Sequence, residues 1–249
     1  YTTMKFLGSL VDQGKLEKGL KIAIVVENTD HGKEYVEGVN RWVKENPGAF
    51  QVVYNESFQL GGTDFSGILQ RMKAANADIF LSDAHLQDYI AMQRQYTQMG
   101  LRHRMVSYGA RGPEEPARKA LGPAADYIFA GIWWHKDLPY PQVKAFVQEH
   151  KKKYQREPDS YYPATAYDAV RALAASIESA GSLNRTSIRN ALRKVRLTDS
   201  LLPGQVLDFE DNGQVTAPFV IMQNKPGGKV DFVYPEDTRT GEVVTRIPR

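Results

Sequence analysis

Three short polar clusters in this 249-residue chain carry most of the side chains that could do chemistry. The first is Glu27, Asn28, Thr29, Asp30 and His31. The second is Ser82, Asp83 and His85, and the third is Ser107, Tyr108, Gly109 and Arg111. Imidazoles beside carboxylates can move protons, ligate a metal or grip a polar ligand. The patterns that would make a catalyst of them are missing. There is no HExxH zinc helix, no GKS or GKT phosphate loop and no GxSxG elbow, and GGTDFSG (Gly61 to Gly67) lacks the GxGxxG spacing. The absence of cysteine removes thiolate nucleophiles, disulfides and cysteine-bound zinc together. The acid pair Glu114 and Glu115 stands at a Pro-flanked helix start, where acids suit the dipole. His31 and His85 with Asp30 and Asp83 form a weak metal set and fit polar ligand contacts or plain loop residues better. No enzymatic activity, cofactor or metal site is therefore expected.

Each cluster closes a short apolar run. KIAIVVE, FQVVYNESF, ADIFLSD, RMVSYGA and ADYIFAGIWW read as five strands, separated by helical patterns. The helix after the first strand sets Tyr35, Val39, Trp42 and Val43 on one stripe and stops at Pro47-Gly48. The next has Thr63 or Asp64 as its cap and Phe65, Ile68, Leu69 and Met72 inward. The third, LQDYIAMQRQYTQMGL, is closed by Gly100. Strand and helix alternation predicts a parallel sheet with helices on both faces. Ligands bind beyond the carboxyl ends of such strands, which is where all three clusters fall. Each loop also opens a helix with free amides. Helix capping is the alternative for any one of these residues; the recurrence at three loops on one edge is what points to a ligand.

After Trp134 the pattern changes to three successive helices and short strands at Val206 to Phe209, Pro218 to Gln223 and Lys229 to Tyr234, with Asp211-Asn212-Gly213 as a hairpin-type turn. This part lacks a sheet of its own, so Trp133 to His135 reads as a crossing between two lobes, the second incomplete. The net charge of +3 is too small to imply nucleic acid or a membrane surface, and KKKYQR reads as a solvated helix end. No apolar run approaches the roughly 20 residues of a membrane span. The opening YTTMKFLGSLVDQGK has no basic segment ahead of an apolar core, so either the protein is cytosolic or a leader is not part of this chain.

The stretches IAIVVENTDHGKEYVEGV, GGTDFSGILQRMKAANADIF, PQVKAFVQEHKKKYQREPDSYYPATAYDAVRALAASIE and VLDFEDNGQV resemble the branched-chain amino-acid (leucine/isoleucine/valine) type of periplasmic substrate-binding protein of ABC importers. The likeness runs through nearly the whole chain and is carried by TDFS, KAA and AD, followed by YDAVRALA. It implies an α/β, type I periplasmic-binding-protein-like fold, with one complete lobe plus part of a second. Residues 1–20 would end the first half of lobe one. Residues 21–131 would be lobe two, and 132–249 the hinge crossing and the returning part of lobe one with the C-terminal strands. A front segment of about 120 residues would then lie outside this sequence.

By the same resemblance the function is capture of a small organic solute, an amino acid or an aromatic or organic carboxylate, between lobes that close on a hinge. The location would be periplasmic or otherwise extracytoplasmic, and the partners ABC permease subunits. Ligand contacts would come from Thr29, Asp30, His31, Asp83, His85, Tyr108, Gly109 and Arg111, with Tyr161 and Tyr162 from the returning segment. Glu27 and Asn28 would remain structural, and Trp133 and Trp134 would pack at the hinge. The acid that receives a ligand ammonium in amino-acid binders would fall near Gly109 and is absent. Arg111 stands close by, and a guanidinium prefers a carboxylate. The alternative is a ligand-sensing domain of the same fold in a regulatory protein. If the chain is whole, Leu173, Ile177, Ile188 and Leu192 would expose apolar faces and a homodimer would cover them.

Overall fold

The computed structural model describes residues 1–215 and 218–248. The chain divides into two units, one of Tyr1–Gly131 with the segment that starts at Ile221, the other of Ile132–Val220.

In the first unit, α1 (Thr2–Asp12) precedes β1 (Leu20–Glu27), α2 (Asp30–Glu45), β2 (Phe50–Phe58), α3 (Ser66–Ala74), β3 (Ile79–Asp83), α4 (Leu86–Gln98), β4 (Met105–Tyr108), α5 (Glu115–Leu121) and β5 (Phe129–Ile132). β1 pairs in parallel with β2 and β3, β3 with β4, and β4 with β5. Side chains alternate across the buried strands. Ala23, Val25, Phe80, Val106 and Tyr108 enter a core with α3, α4 and α5. Ile22, Ile24, Val26, Ile79, Leu81 and Met105 enter another with Met4, Phe6, Leu7 and Leu10 of α1 and Val39 and Trp42 of α2. Burying each large side chain contributes about 1.5–3 kcal/mol. A Cβ on Gly8 would lie 2.4 Å from the Trp42 ring, so the missing side chain lets α1 and α2 approach.

Two boundaries differ from expectation. Residues 1–20 belong with the first unit, because the apolar stripe of α1 is buried on its sheet. The C-terminal strands β8 (Val220–Lys225) and β9 (Lys229–Tyr234), expected with the returning segment, extend the same sheet to seven strands in the order β2-β1-β3-β4-β5-β8-β9. β8 and β9 are antiparallel, so the sheet is predominantly rather than wholly parallel. Their attachment is polar as well as apolar: the Asn224 side-chain amide donates to the carbonyls of Gly112 and Ala125, and Gln223 Nε2 donates to those of Tyr127 and Val244.

The second unit holds α6 (Pro141–Tyr154), α7 (Tyr162–Ala180), α8 (Arg185–Leu192) and the paired short strands β6 (Arg196–Leu197) and β7 (Leu207–Asp208). Pro at the start of α6 and left-handed Gly181 after α7 supply start and stop. Buried Asp168 ties α7 to the following loop, accepting hydrogen bonds from Ser200 Oγ and the Leu201 amide at 2.7 Å each. Asp211-Asn212-Gly213 does turn, closed by Glu210 and Gln214, while the strands on either side of it pair elsewhere, β7 with β6 and β8 with β9. Of the four residues expected to be bare, Leu173 is exposed and Ile177, Ile188 and Leu192 are half-buried; Val170 and Leu183 are barer than any of them.

Candidate functional site

From Ile22 onward β1 stays apolar until Glu27, whose carboxylate is nevertheless only 1% exposed. It is not left alone there. Thr29 Oγ1 donates to Oε1 at 2.8 Å, the His85 ring Nδ1 donates to Oε2 at 2.6 Å, and His31 Nδ1 stands 3.6 Å from Oε1. Burial raises the proton affinity of this carboxyl; the hydrogen bonds from His85 and Thr29 and the two imidazole charges more than offset it, leaving Glu27 below its ordinary range.

Asp83 at the end of β3 is the second buried acid, its side chain 4% exposed. Its Oδ2 receives no well-directed hydrogen bond, and its ionic partner is His31 Nδ1 at 3.0 Å. The contact with Asp83 pushes the His31 imidazole up to about 9, against an opposing contribution from partial burial and with Glu27 adding in the same direction. His31 is thus an imidazolium at neutral pH, and its side chain is 62% exposed. Nearby, the buried Tyr35 hydroxyl lies against those of Thr3 and Ser107. Burial first, then the charge of Asp83, pushes the Tyr35 phenol up.

Local sequence explains the geometry. Thr29 is the N-cap of α2, accepting the Gly32 amide at 3.2 Å while its own hydroxyl reaches Glu27. That places His31 in the first turn, one helical turn after Glu27. His85 is the cap position of α4. Gly109 follows β4 with φ of +51°, and a Cβ there would lie 2.1 Å from Asp83 Oδ1, so only glycine lets this loop close over the acid.

The three loops therefore bring together Thr29, His31, Asp83, His85 and Gly109, together with Glu27, which sequence reasoning had set aside as structural. The signal for Glu27 was a lone acid ending an otherwise apolar strand. Three expected contacts are placed otherwise. Asp30 points into solvent and pairs with Lys33 at 3.0 Å. Tyr108 is fully buried, its ring against Tyr89 and Phe80, because it shares Val106's side of β4. Arg111 is mostly buried and held by Glu114 at 2.7 Å, so its charge is already matched. Tyr161 and Tyr162 lie in the second unit, where their rings touch each other and Tyr161 packs on Trp133. No group of three or more metal-ligating side chains forms among the described residues.

A predominantly parallel sheet with polar, helix-opening loops gathered at its strand ends is an open α/β arrangement, in which ligand sites lie beyond the carboxyl ends of the strands. Residues 2–229 match the model of the periplasmic binding protein family, and the chain belongs to it. A Brucella abortus relative described as Leu/Ile/Val-binding protein homolog 7 is 24% identical over 243 residues, covering 95% of this chain and 60% of the relative. A leucine binding protein from Thermotoga maritima superposes with a TM-score of 0.79 at 22% identity, over 95% of this chain and 66% of that one. A fatty acid ABC transporter substrate-binding protein from Thermomonospora curvata gives 0.76 at 18%, over 98% and 65%. The chain thus spans about 60% of the length of the curated relative.

Proposed function

We propose that this chain is the solute-capturing part of an extracytoplasmic binding protein that serves an ABC permease, and that its solute is a small organic molecule, an amino acid or an organic carboxylate. The observation that carries this reading is the set of two buried acids and two half-exposed imidazoles at the strand ends, in a chain of the periplasmic binding protein family. Such a set has directional donors and acceptors for a solute and no assembled nucleophile, so capture and release without turnover is its chemistry. Relatives described as Leu/Ile/Val-binding and as fatty acid binding bracket the solute classes. Thr29, His31, Asp83, His85 and Gly109 are the contacts we assign in the first unit. A homodimer has no support from these relatives and is not part of the proposal.

Titration calorimetry of the chain against branched-chain amino acids, aromatic acids and short fatty acids tests the reading. Saturable binding of at least one member, with the solute recovered unchanged, is expected. No binding across the panel, or conversion of a bound solute, would overturn it.

A further inference from the structure

The two acids and two imidazoles are arranged as two linked carboxylate–imidazole pairs, and the arrangement has a direction. In each pair the carboxylate is buried and the ring is half outside: His31 on Asp83, His85 on Glu27. In each pair it is Nδ1 that faces the acid, at 3.0 Å and 2.6 Å respectively. That leaves Nε2 of both rings without a partner among the described residues. A buried acid on one ring nitrogen fixes the ring's orientation and aims the other nitrogen away from the protein.

Arg111 was the cation that sequence reasoning offered to an anionic solute, and Glu114 already answers it. His31 is paired as well, with Asp83, but its side chain is 62% exposed where that of Arg111 is 18%, so its second ring nitrogen stays open to a solute. We propose that the first unit holds its solute by a carboxylate, with the outward Nε2–H of protonated His31 as the donor and Asp83 and Glu27 as positioning residues that keep the ring charged and aimed. This rests on the solute-binding reading above and narrows it, since an amide or an amine of the same carbon skeleton lacks the group that His31 takes.

The charged groups that face His31 are Asp83 from β3 and Glu27 from β1; His85, from the start of α4, is held on Glu27, and Tyr35, on the same helix as His31, lies in the field of Asp83. The pair of His31 with Asp83 is neutral as a whole, and the buried Glu27 carboxylate beside it is taken up by hydrogen bonds from His85 and Thr29. A bound carboxylate therefore meets a hydrogen-bond donor rather than a bare negative charge, and the imidazolium becomes shared between the inner and the outer carboxylate. Charge-assisted hydrogen bonds of this kind are about twice as strong as neutral ones. Buried Asp83 provides the inner half without the entropy cost of ordering a surface side chain.

The test is an NMR titration of the chain, following the imidazole resonances, with three acids and their amides: 4-methylpentanoate and 4-methylpentanamide, benzoate and benzamide, leucine and leucinamide. The expected result is that at least one acid binds at pH 7 at least tenfold more tightly than its amide and raises the His31 pKa further. Its affinity should fall about tenfold per pH unit above 9. His31→Gln should weaken acid binding tenfold or more and amide binding by much less, so that the preference for acid over amide collapses. Asp83→Asn should move the alkaline fall in affinity down toward the ordinary histidine range near 6.5, an effect that a merely structural role would not produce. His31→Gln changes an exposed ring, so the proposal stays testable if Asp83→Asn does not fold. Amides binding as tightly as acids, or acid affinity unaffected by His31→Gln, would overturn this inference and leave the solute-binding reading standing. If no acid and no amide binds, both fall together.

Discussion

Two histidines at opposite ends of the same sheet take opposite proton affinities. His31 follows the carboxyl end of β1, half exposed, with the buried Asp83 carboxylate at 3.0 Å, and is pushed up to about 9. His103 precedes the amino end of β4, buried against the Tyr96 hydroxyl at 2.7 Å and the Phe80 ring, and burial pushes it down to about 4 against a weaker opposing pull from the Asp78 carboxylate. Burial opposes charge in both. A nearby carboxylate outweighs it at the strand ends that carry the polar loops, and nothing of comparable strength does so at the other end. The difference separates a site from a core position: a site is where the protein has buried the counter-charge in advance and left the cation facing outward.

The harshest way to break the contrast is Gly109→Ala. The left-handed backbone costs about 1–2 kcal/mol for any other residue, and the new Cβ would strike Asp83, so a total loss of about 3 kcal/mol is expected in urea denaturation. Gly100→Ala, with φ of +65° and open space around it, should show the backbone part alone. Equal losses in the two variants would mean that Asp83 yields without cost.

Stability against pH should then carry both histidines as separate limbs. The unfolded chain protonates His103 near 6.5 and the folded chain near 4. Between these values the unfolded state binds more protons, so stability falls as pH drops, by up to about 3 kcal/mol. For His31 the order is reversed. The folded state holds the extra proton between 6.5 and about 9, so its contribution is complete below 6.5 and is lost as pH rises through 9. Solvent screening of the exposed ring keeps that limb to about 1 kcal/mol or less. Chemical denaturation from pH 4 to 10 measures both: His103→Gln should flatten only the acid limb and His31→Gln only the alkaline one.

Asp83→Asn sharpens the comparison without a stability readout. The His31 resonance should titrate closer to 6.5 and His103 should stay near 4, as followed by NMR; a joint movement would show that the two ends of the sheet are coupled. The smallest effect is expected at Asp30→Ala. That side chain is 94% exposed and meets only Lys33, so the change should stay within about 0.5 kcal/mol and leave the His31 titration where it is.

Much of the fold was legible because its cues are local. An apolar run of strand length ending at Glu27, the stripe Val39 and Trp42, and inward Phe65, Ile68, Leu69 and Met72 all fall where periodicity set them. The cap of α3 shows the limit of the method. Asp64 does accept a backbone amide, from Ser66 at 2.9 Å, but the N-cap position is Phe65, because the same turn can be closed one residue on. Tyr108 could have been assigned to the core from its alternation with Val106, had the polarity of its neighbours not drawn it to the loop.

By itself, then, the sequence determined the order of strands and helices and the gathering of three polar loops at one edge, since short-range patterns suffice for both. Three matters were decided only in tertiary structure. β8 and β9 joined the first unit's sheet because a strand edge takes whichever partner presents matching backbone groups, a choice no local pattern encodes. Gly109 closed over the Asp83 carboxylate, because only a residue without a side chain fits against that oxygen. Glu27 became the hub of the site because His85, 58 residues away, brings its ring to 2.6 Å. An acid at the end of a strand is only an acid until the fold supplies the cation that allows it to stay buried and charged.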